Sequence, residues 1–226
     1  MNAYPDAIVW DLDGTLIDSA PDLADALSRL LREQGHPGLD EDQVRTMIGN
    51  GVEKLILRGF AAVDARIPKE HLSLLVSRFL LIYSTNATHR TRLYKDANTV
   101  LRHFQGAGVR QGICTNKPKM ITRQILADLS IIDVFDVIVG GDTTAAKKPD
   151  PLPLRTCIEA LNADPERCVL IGDSSVDVRT AQAINMPVGI VSFGYAREPV
   201  EDIGADFIID ELASLPASLS KLRKAR

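Results

Sequence analysis

Asp11 and Asp13 stand two positions apart, directly after the apolar run Ala7-Ile8-Val9-Trp10, and Gly14-Thr15 follows them. On an extended segment residues i and i+2 face the same way, so both carboxylates leave one side while Leu12 turns into the core. Three later apolar runs end in residues of the same kind. Thr115-Asn116-Lys117 follows the second run; Gly140-Gly141-Asp142 and then Lys148-Pro149 follow the third; Gly172-Asp173-Ser174 with Asp177 follows the fourth. Carboxylates gathered in one place repel one another, and the arrangement persists where a hard divalent cation is bound. Ligands that are all oxygen point to Mg²⁺ rather than Zn²⁺. Such an ion beside a lysine and a hydroxyl is equipment for gripping a phosphoryl group, whose charge lies on its outer oxygens. Of two adjacent acids, one can attack phosphorus. The other, its pKa raised by its neighbour, can donate a proton to the leaving oxygen.

These residues need a frame that brings strand ends together. The run 7–10 reads as a strand buried on both faces. Helical spacing follows: Leu23, Leu27, Leu30 and Leu31 form a stripe, with Asp18 and Ser19 as candidate caps ahead of Pro21 and Gly35 at its end. A second stripe, Val52, Leu55, Ile56, Phe60 and Val63, follows Gly49-Asn50-Gly51, and a third, Leu72, Leu75, Val76, Phe79 and Tyr83, follows Pro68. Residues 21–88 therefore read as helix throughout. Beyond Leu93 the pattern alternates. Helices are expected around Val100, Leu101 and Phe104, around Ile121, Ile125 and Leu129, and over 152–161 and 176–184; strands over 109–114, 134–139, 168–171, 188–191 and 207–209.

Repeated strand-helix alternation implies right-handed crossovers and an α/β fold, a Rossmann-like parallel sheet with helices on both faces. One strand before the helical block and several after it make those helices an insertion. The chain thus divides into an α/β core, residues 1–17 and 92–226, and a helical cap, residues 18–91. In an open parallel sheet the site lies beyond the carboxyl ends of the strands, where the polar clusters fall.

Composition narrows the partners. The chain has 226 residues, 45% hydrophobic and 25% charged, with 26 Lys+Arg against 30 Asp+Glu and a net charge of −4. No sequence-wide basic field is available for nucleic acid or an anionic membrane, and no apolar run approaches the roughly 18 residues of a membrane span. Residues 1–6 carry no signal-peptide pattern, so a cytoplasmic protein is expected. Cys114, Cys157 and Cys168 read as small buried residues in a reducing compartment. His36, His71, His89 and His103 are scattered without zinc-ligand spacing.

Asp11-Leu12-Asp13-Gly14-Thr15-Leu16, Thr115-Asn116, Lys148-Pro149 and Gly172-Asp173-Ser174-Ser175-Val176-Asp177 resemble the four motifs of the haloacid dehalogenase superfamily, in order and each at a strand end. The resemblance implies that Asp11 is a nucleophile forming an aspartyl-phosphate and Asp13 a general acid that later activates water. It implies that Asp11, Asp173 and the backbone carbonyl of Asp13 ligate Mg²⁺, that Asp177 contacts the metal or its water, and that Thr115 and Lys148 hold phosphoryl oxygens. Lys147 is the rival lysine; the Lys-Pro pairing favours Lys148. Dehalogenases and phosphonate hydrolases of this type lack the second acid, and sugar-phosphate mutases usually carry Val or Ile at the position of Thr15, so the resemblance favours a phosphatase.

A helical insertion after the first motif is the C1 cap type, which closes over small phosphorylated metabolites. The segments Ile48-Gly49-Asn50-Gly51-Val52, Thr115-Asn116-Lys117-Pro118, Gly140-Gly141-Asp142 and Phe193-Gly194-Tyr195 look most like bacterial phosphoglycolate phosphatases. Gly49, Asn50 and Gly51 form a turn ahead of a helix whose free N–H groups could meet a second anion such as a carboxylate, and Asn116 joins them as a candidate substrate contact. Arg45 and Lys54 flank the turn and could add charge. The expected activity is Mg²⁺-dependent hydrolysis of a small phosphomonoester, with 2-phosphoglycolate first, by a monomer or homodimer. Another small-metabolite phosphatase, a pyrophosphatase and a phosphosugar mutase stay open. So does a phospho-acceptor signalling domain, although that needs neither an inserted lid nor a second acid.

Overall fold

The computed structural model describes residues 4–224. Its first strand, β1 (Ala7–Trp10), is buried along its whole length, and a two-residue strand, β2 (Ile17–Asp18), follows. Four helices come next: α1 (Ala20–Glu33), α2 (Glu41–Arg45), α3 (Val52–Ala61) and α4 (Lys69–Ser84). After β3 (Arg92–Leu93) the chain alternates through α5 (Ala97–Gly106), β4 (Arg110–Cys114), α6 (Lys119–Asp128), β5 (Val137–Val139), α7 (Leu152–Ala160), β6 (Cys168–Gly172), α8 (Ser175–Gln182) and β7 (Val188–Val191). It closes with β8 (Phe207–Ile209) and α9 (Leu215–Lys224).

Six strands pair in parallel in the order β5-β4-β1-β6-β7-β8, the Rossmann-like α/β sheet that the alternation predicts. Alternate residues of β1 feed two separate cores. Ile8 and Trp10 join the cluster that holds residues of α1, α3, α4 and α5, while Ala7 and Val9 join the one built on α7 and α8. Trp10 lies beside Ile113 on one neighbour and Ile171 on the other. That register brings Asp11, Thr115 and Asp173 to one rim.

Several expectations need correction. Residues 134–139 do not form one strand: Ile132–Val134 is a 3-10 turn and only Val137–Val139 pairs with β4. Val134 is buried by packing against the core instead of by pairing, and an apolar run does not distinguish the two. Within residues 21–88 the regular elements are all helical, as expected, and loops divide them. Gly35, at φ +80°, ends α1, and a capping box of Asp40 and Gln43 starts the short α2. Ser19 is the N-cap of α1 but makes no side-chain cap bond; its hydroxyl donates to Asp13. Three elements were not foreseen: α9, and the strands β2 and β3, which pair antiparallel, Ile17 with Leu93 and Asp18 with Arg92. Two-residue strands are too short to show alternation. The three cysteines are buried and unpaired, and among the described residues no helix is long and apolar enough to cross a membrane.

Candidate active site

The sheet ladder continues one step past each strand and pins the site's backbone: Asp11 N–H donates to the Ile171 carbonyl at 2.8 Å and Thr115 N–H to the Val139 carbonyl at 3.0 Å. The chain then turns at Gly14, whose φ is +87° and where a Cβ would sit 2.1 Å from Asp173 Oδ2. Only glycine lets the first loop approach the acid of the fourth this closely.

Asp11 is 7% exposed and Lys148 4%. Lys148 Nζ lies 2.9 Å from Asp11 Oδ1 and 2.6 Å from Asp177 Oδ1. Asn116 brackets the backbone of this lysine. Its Oδ1 accepts from Lys148 N–H at 2.9 Å and its Nδ2 donates to the Lys148 carbonyl at 3.0 Å, and also to the Gly49 carbonyl at 3.1 Å. The Asn116 side chain thus holds Lys148 and the Gly49 turn, and the residue also lines the cavity beside Asp11. Lys147 is exposed.

Asp11, Asp173 and Asp177 each offer a carboxylate oxygen within 4.8 Å of the others, and all three are buried. Burial pushes the Asp11 carboxyl up to about 6; the nearby Lys148 opposes this, while the charges of Asp177 and Asp13 add to it. Asp173 is driven well above the ordinary carboxylate range by burial, then by Asp177 and Asp11. Burial alone would lower Lys148, but the two carboxylates beside it hold it above its usual value. One lysine does not balance three buried acids, and a divalent cation with oxygen preference fits the excess. Asp173 Oδ2 already accepts from Tyr195 N–H at 2.6 Å. The oxygens of Asp177 take Lys148 on one side and Ser174 Oγ, at 2.8 Å, on the other, so this acid also braces the first turn of α8.

Asp13 stands apart from that trio. Its Oδ1 accepts from Lys117 Nζ at 2.8 Å and from Ser19 Oγ at 2.5 Å. Thr115 is buried beside it, with its Oγ1 accepting from Lys117 N–H at 3.2 Å. Asp11, Asp13 and Thr115 line a cavity of about 40 Å³ whose wall also carries Gly49, Gly51 and Tyr83. Asn50 is not on that wall: its Oδ1 accepts from Arg58 at 2.8 Å.

Lys117 and Tyr195 stand in the motifs above with no catalytic role implied there, and both find their partners far away in sequence. Lys117 is two residues beyond Thr115, the spacing that turned Asp11 and Asp13 the same way, and this signal was available. Tyr195 gives no such signal. Its phenol donates to Asp18 Oδ1 at 2.6 Å and accepts from the amides of Ser19 at 2.8 Å and Ala20 at 3.1 Å. Arg45, which flanks the turn and could add charge there, pairs instead with Asp18 at 3.0 Å and lies 5.3 Å from the centre of the Tyr195 ring. Lys54 is exposed.

A family model described as haloacid dehalogenase-like hydrolase matches residues 8–191. The chain is 40% identical over 217 residues to a phosphoglycolate phosphatase of Rhodospirillum rubrum, spanning 93% of this chain and 89% of that one. It is 36% identical over 223 residues to a phosphoglycolate phosphatase of Nitrosococcus oceani, spanning 98% and 99%. A crystal structure of a predicted phosphoglycolate phosphatase from Haemophilus somnus superposes over 100% of both chains with a TM-score of 0.89 at 26% identity.

Proposed function

The chain belongs to the haloacid dehalogenase-like hydrolases, and from that membership we propose that it is a phosphatase releasing phosphate from a small phosphomonoester, 2-phosphoglycolate first, through a covalent intermediate on Asp11. One observation carries the chemistry: a buried carboxylate, Asp11, shares Lys148 with the acid cluster while a separate acid, Asp13, faces the same cavity. The substrate follows the names of relatives that the chain matches along nearly its whole length.

In this reading an Asp11 oxygen attacks phosphorus and the bond from phosphorus to the ester oxygen breaks. Asp13 gives its proton to the departing alkoxide. Asp13 then takes a proton from water, whose oxygen attacks the aspartyl-phosphate, freeing Asp11 and inorganic phosphate. Lys148 and Thr115 bind the outer phosphoryl oxygens, where charge gathers. Asp11, Asp173 and the Asp13 main-chain carbonyl would hold Mg²⁺, with Asp177 beside them; the ion supplies positive charge against the phosphoryl oxygens and the buried acids. Family enzymes generally use this ion.

Residues 18–91 act as a cap over residues 1–17 and 92–226, hinged where β2 pairs with β3, and closure excludes water from the covalent ester. The protein works in the cytoplasm, as a monomer or homodimer; its three buried unpaired thiols suit a reducing compartment. The test is Asp11→Asn, assayed for phosphate release from 2-phosphoglycolate with Mg²⁺. Activity should fall by about 10⁴-fold or more with the fold intact, as for other nucleophile knockouts. Substantial residual turnover would refute the role.

A further inference from the structure

We infer that Lys117 and Tyr83 together form the subsite that receives a carboxylate of the substrate, an inference that rests on the phosphatase reading. Lys117 is 5% exposed and Tyr83 2%, and both line the cavity shared by Asp11, Asp13 and Thr115. Lys117 Nζ lies 4.8 Å from the centre of the Tyr83 ring.

The Tyr83 hydroxyl is buried with no partner inside ordinary hydrogen-bond geometry, and the Lys117 ammonium is the charge that acts on it. Buried polar groups are nearly always paired, and an orphan on a cavity wall marks where a ligand atom completes the set. Lys117 donates through its ammonium to Asp13, and an ammonium has three donors. Around this pair the cavity wall is apolar, with Leu23, Val52 and Leu55. In the rival turn two acceptors are already occupied. The Gly49 carbonyl accepts from Asn116 and the Asn50 side chain from Arg58.

Position agrees with chemistry. Asp13 is the acid that meets the ester oxygen, and Lys117 touches the same carboxylate at 2.8 Å. A substrate carboxylate separated from the ester oxygen by one methylene group therefore falls beside Lys117. Neutral ends of similar size leave the ammonium and the hydroxyl without an anion to bind.

The experiment compares kcat/KM for 2-phosphoglycolate with that for ethyl phosphate, in which a methyl replaces the carboxylate, using wild type, Tyr83→Phe and Lys117→Met. Wild type should prefer 2-phosphoglycolate. Tyr83→Phe, which removes one oxygen, should cut the preference about tenfold, mainly through KM, and Lys117→Met by about a hundredfold, the range for hydrogen bonds to charged groups. Equal losses on both esters in Lys117→Met, with the preference intact in Tyr83→Phe, would reduce Lys117 to a positioning partner of Asp13 and overturn the subsite. If Lys117→Met does not fold, Tyr83→Phe decides alone. The two readings fail differently. Wild type that releases phosphate from neither ester refutes the phosphatase, and wild type that releases it from both with equal kcat/KM refutes the carboxylate subsite.

Discussion

The backbone N–H of Tyr195 donates to the Asp173 carboxylate at 2.6 Å. The same residue's phenol holds the start of α1 by accepting from Ser19 and Ala20 and donating to Asp18. One loop thus fixes an acid of the proposed metal site and the entry to the helices α1–α4. Tyr195→Phe removes only the second set of bonds and strands the buried Ser19 amide, while the Ala20 amide keeps Asp18 Oδ1 at 3.3 Å. It should cost about 1–3 kcal/mol of stability, read from denaturant or thermal unfolding, since that is the penalty for unpaired buried donors. Binding of Mg²⁺ should survive, because the amide is untouched; its loss would contradict this division of labour.

The Asp18 cluster should also mark the acid limb of stability. Burial pushes the Asp18 carboxyl up, but hydrogen bonds from Arg45 and Tyr195, together with the Arg45 charge, leave it below the ordinary 3.8. A carboxylate depressed in the folded state stabilises the fold above its unfolded pKa, and that contribution fades as pH falls through the folded value. Wild type should therefore exceed Asp18→Asn by about 1 kcal/mol near neutral pH, a modest figure because the pair is partly solvated. The gap should close below pH 3.8. A gap unchanged at low pH would mean that the contact works through packing alone.

Magnesium should stabilise the protein independently of turnover. Lys148 pairs with only two of the three clustered buried acids, so a cation bound only by the folded state adds about 2.7 kcal/mol at a hundredfold excess over its dissociation constant. Unfolding followed with and without Mg²⁺ checks this. Wild type should shift, chelation should reverse the shift and abolish phosphate release, and Asp173→Asn should weaken the shift strongly. Equal shifts in both proteins would remove Asp173 from the metal site.

Much of this was legible in the sequence, because the motifs sit where strand ends must converge. Asp11, Thr115 and Asp173 each follow an apolar run whose burial is set by composition, so their meeting follows from the sheet alone. What stayed hidden depends on contacts distant in sequence. Tyr195 reaches Asp18 across a separation of 177 residues, and nothing local in either segment announces the pair. Tyr83 reads as the last member of an apolar helical stripe, and it is buried as such; that it also lines the cavity beside Asp11 depends on how α4 packs on α1 and α3. Asn116 has the composition of a ligand contact and the geometry of a bracket.

The central claim is two successive displacements at phosphorus, first by Asp11 and then by water. It is tested most directly by hydrolysing a thiophosphate ester made chiral at phosphorus by its sulfur and one heavy oxygen isotope, in water labelled with the third oxygen isotope, and determining the configuration of the inorganic thiophosphate released. Each in-line step inverts phosphorus, so the account predicts net retention. Net inversion would mean a single attack by water and would contradict it.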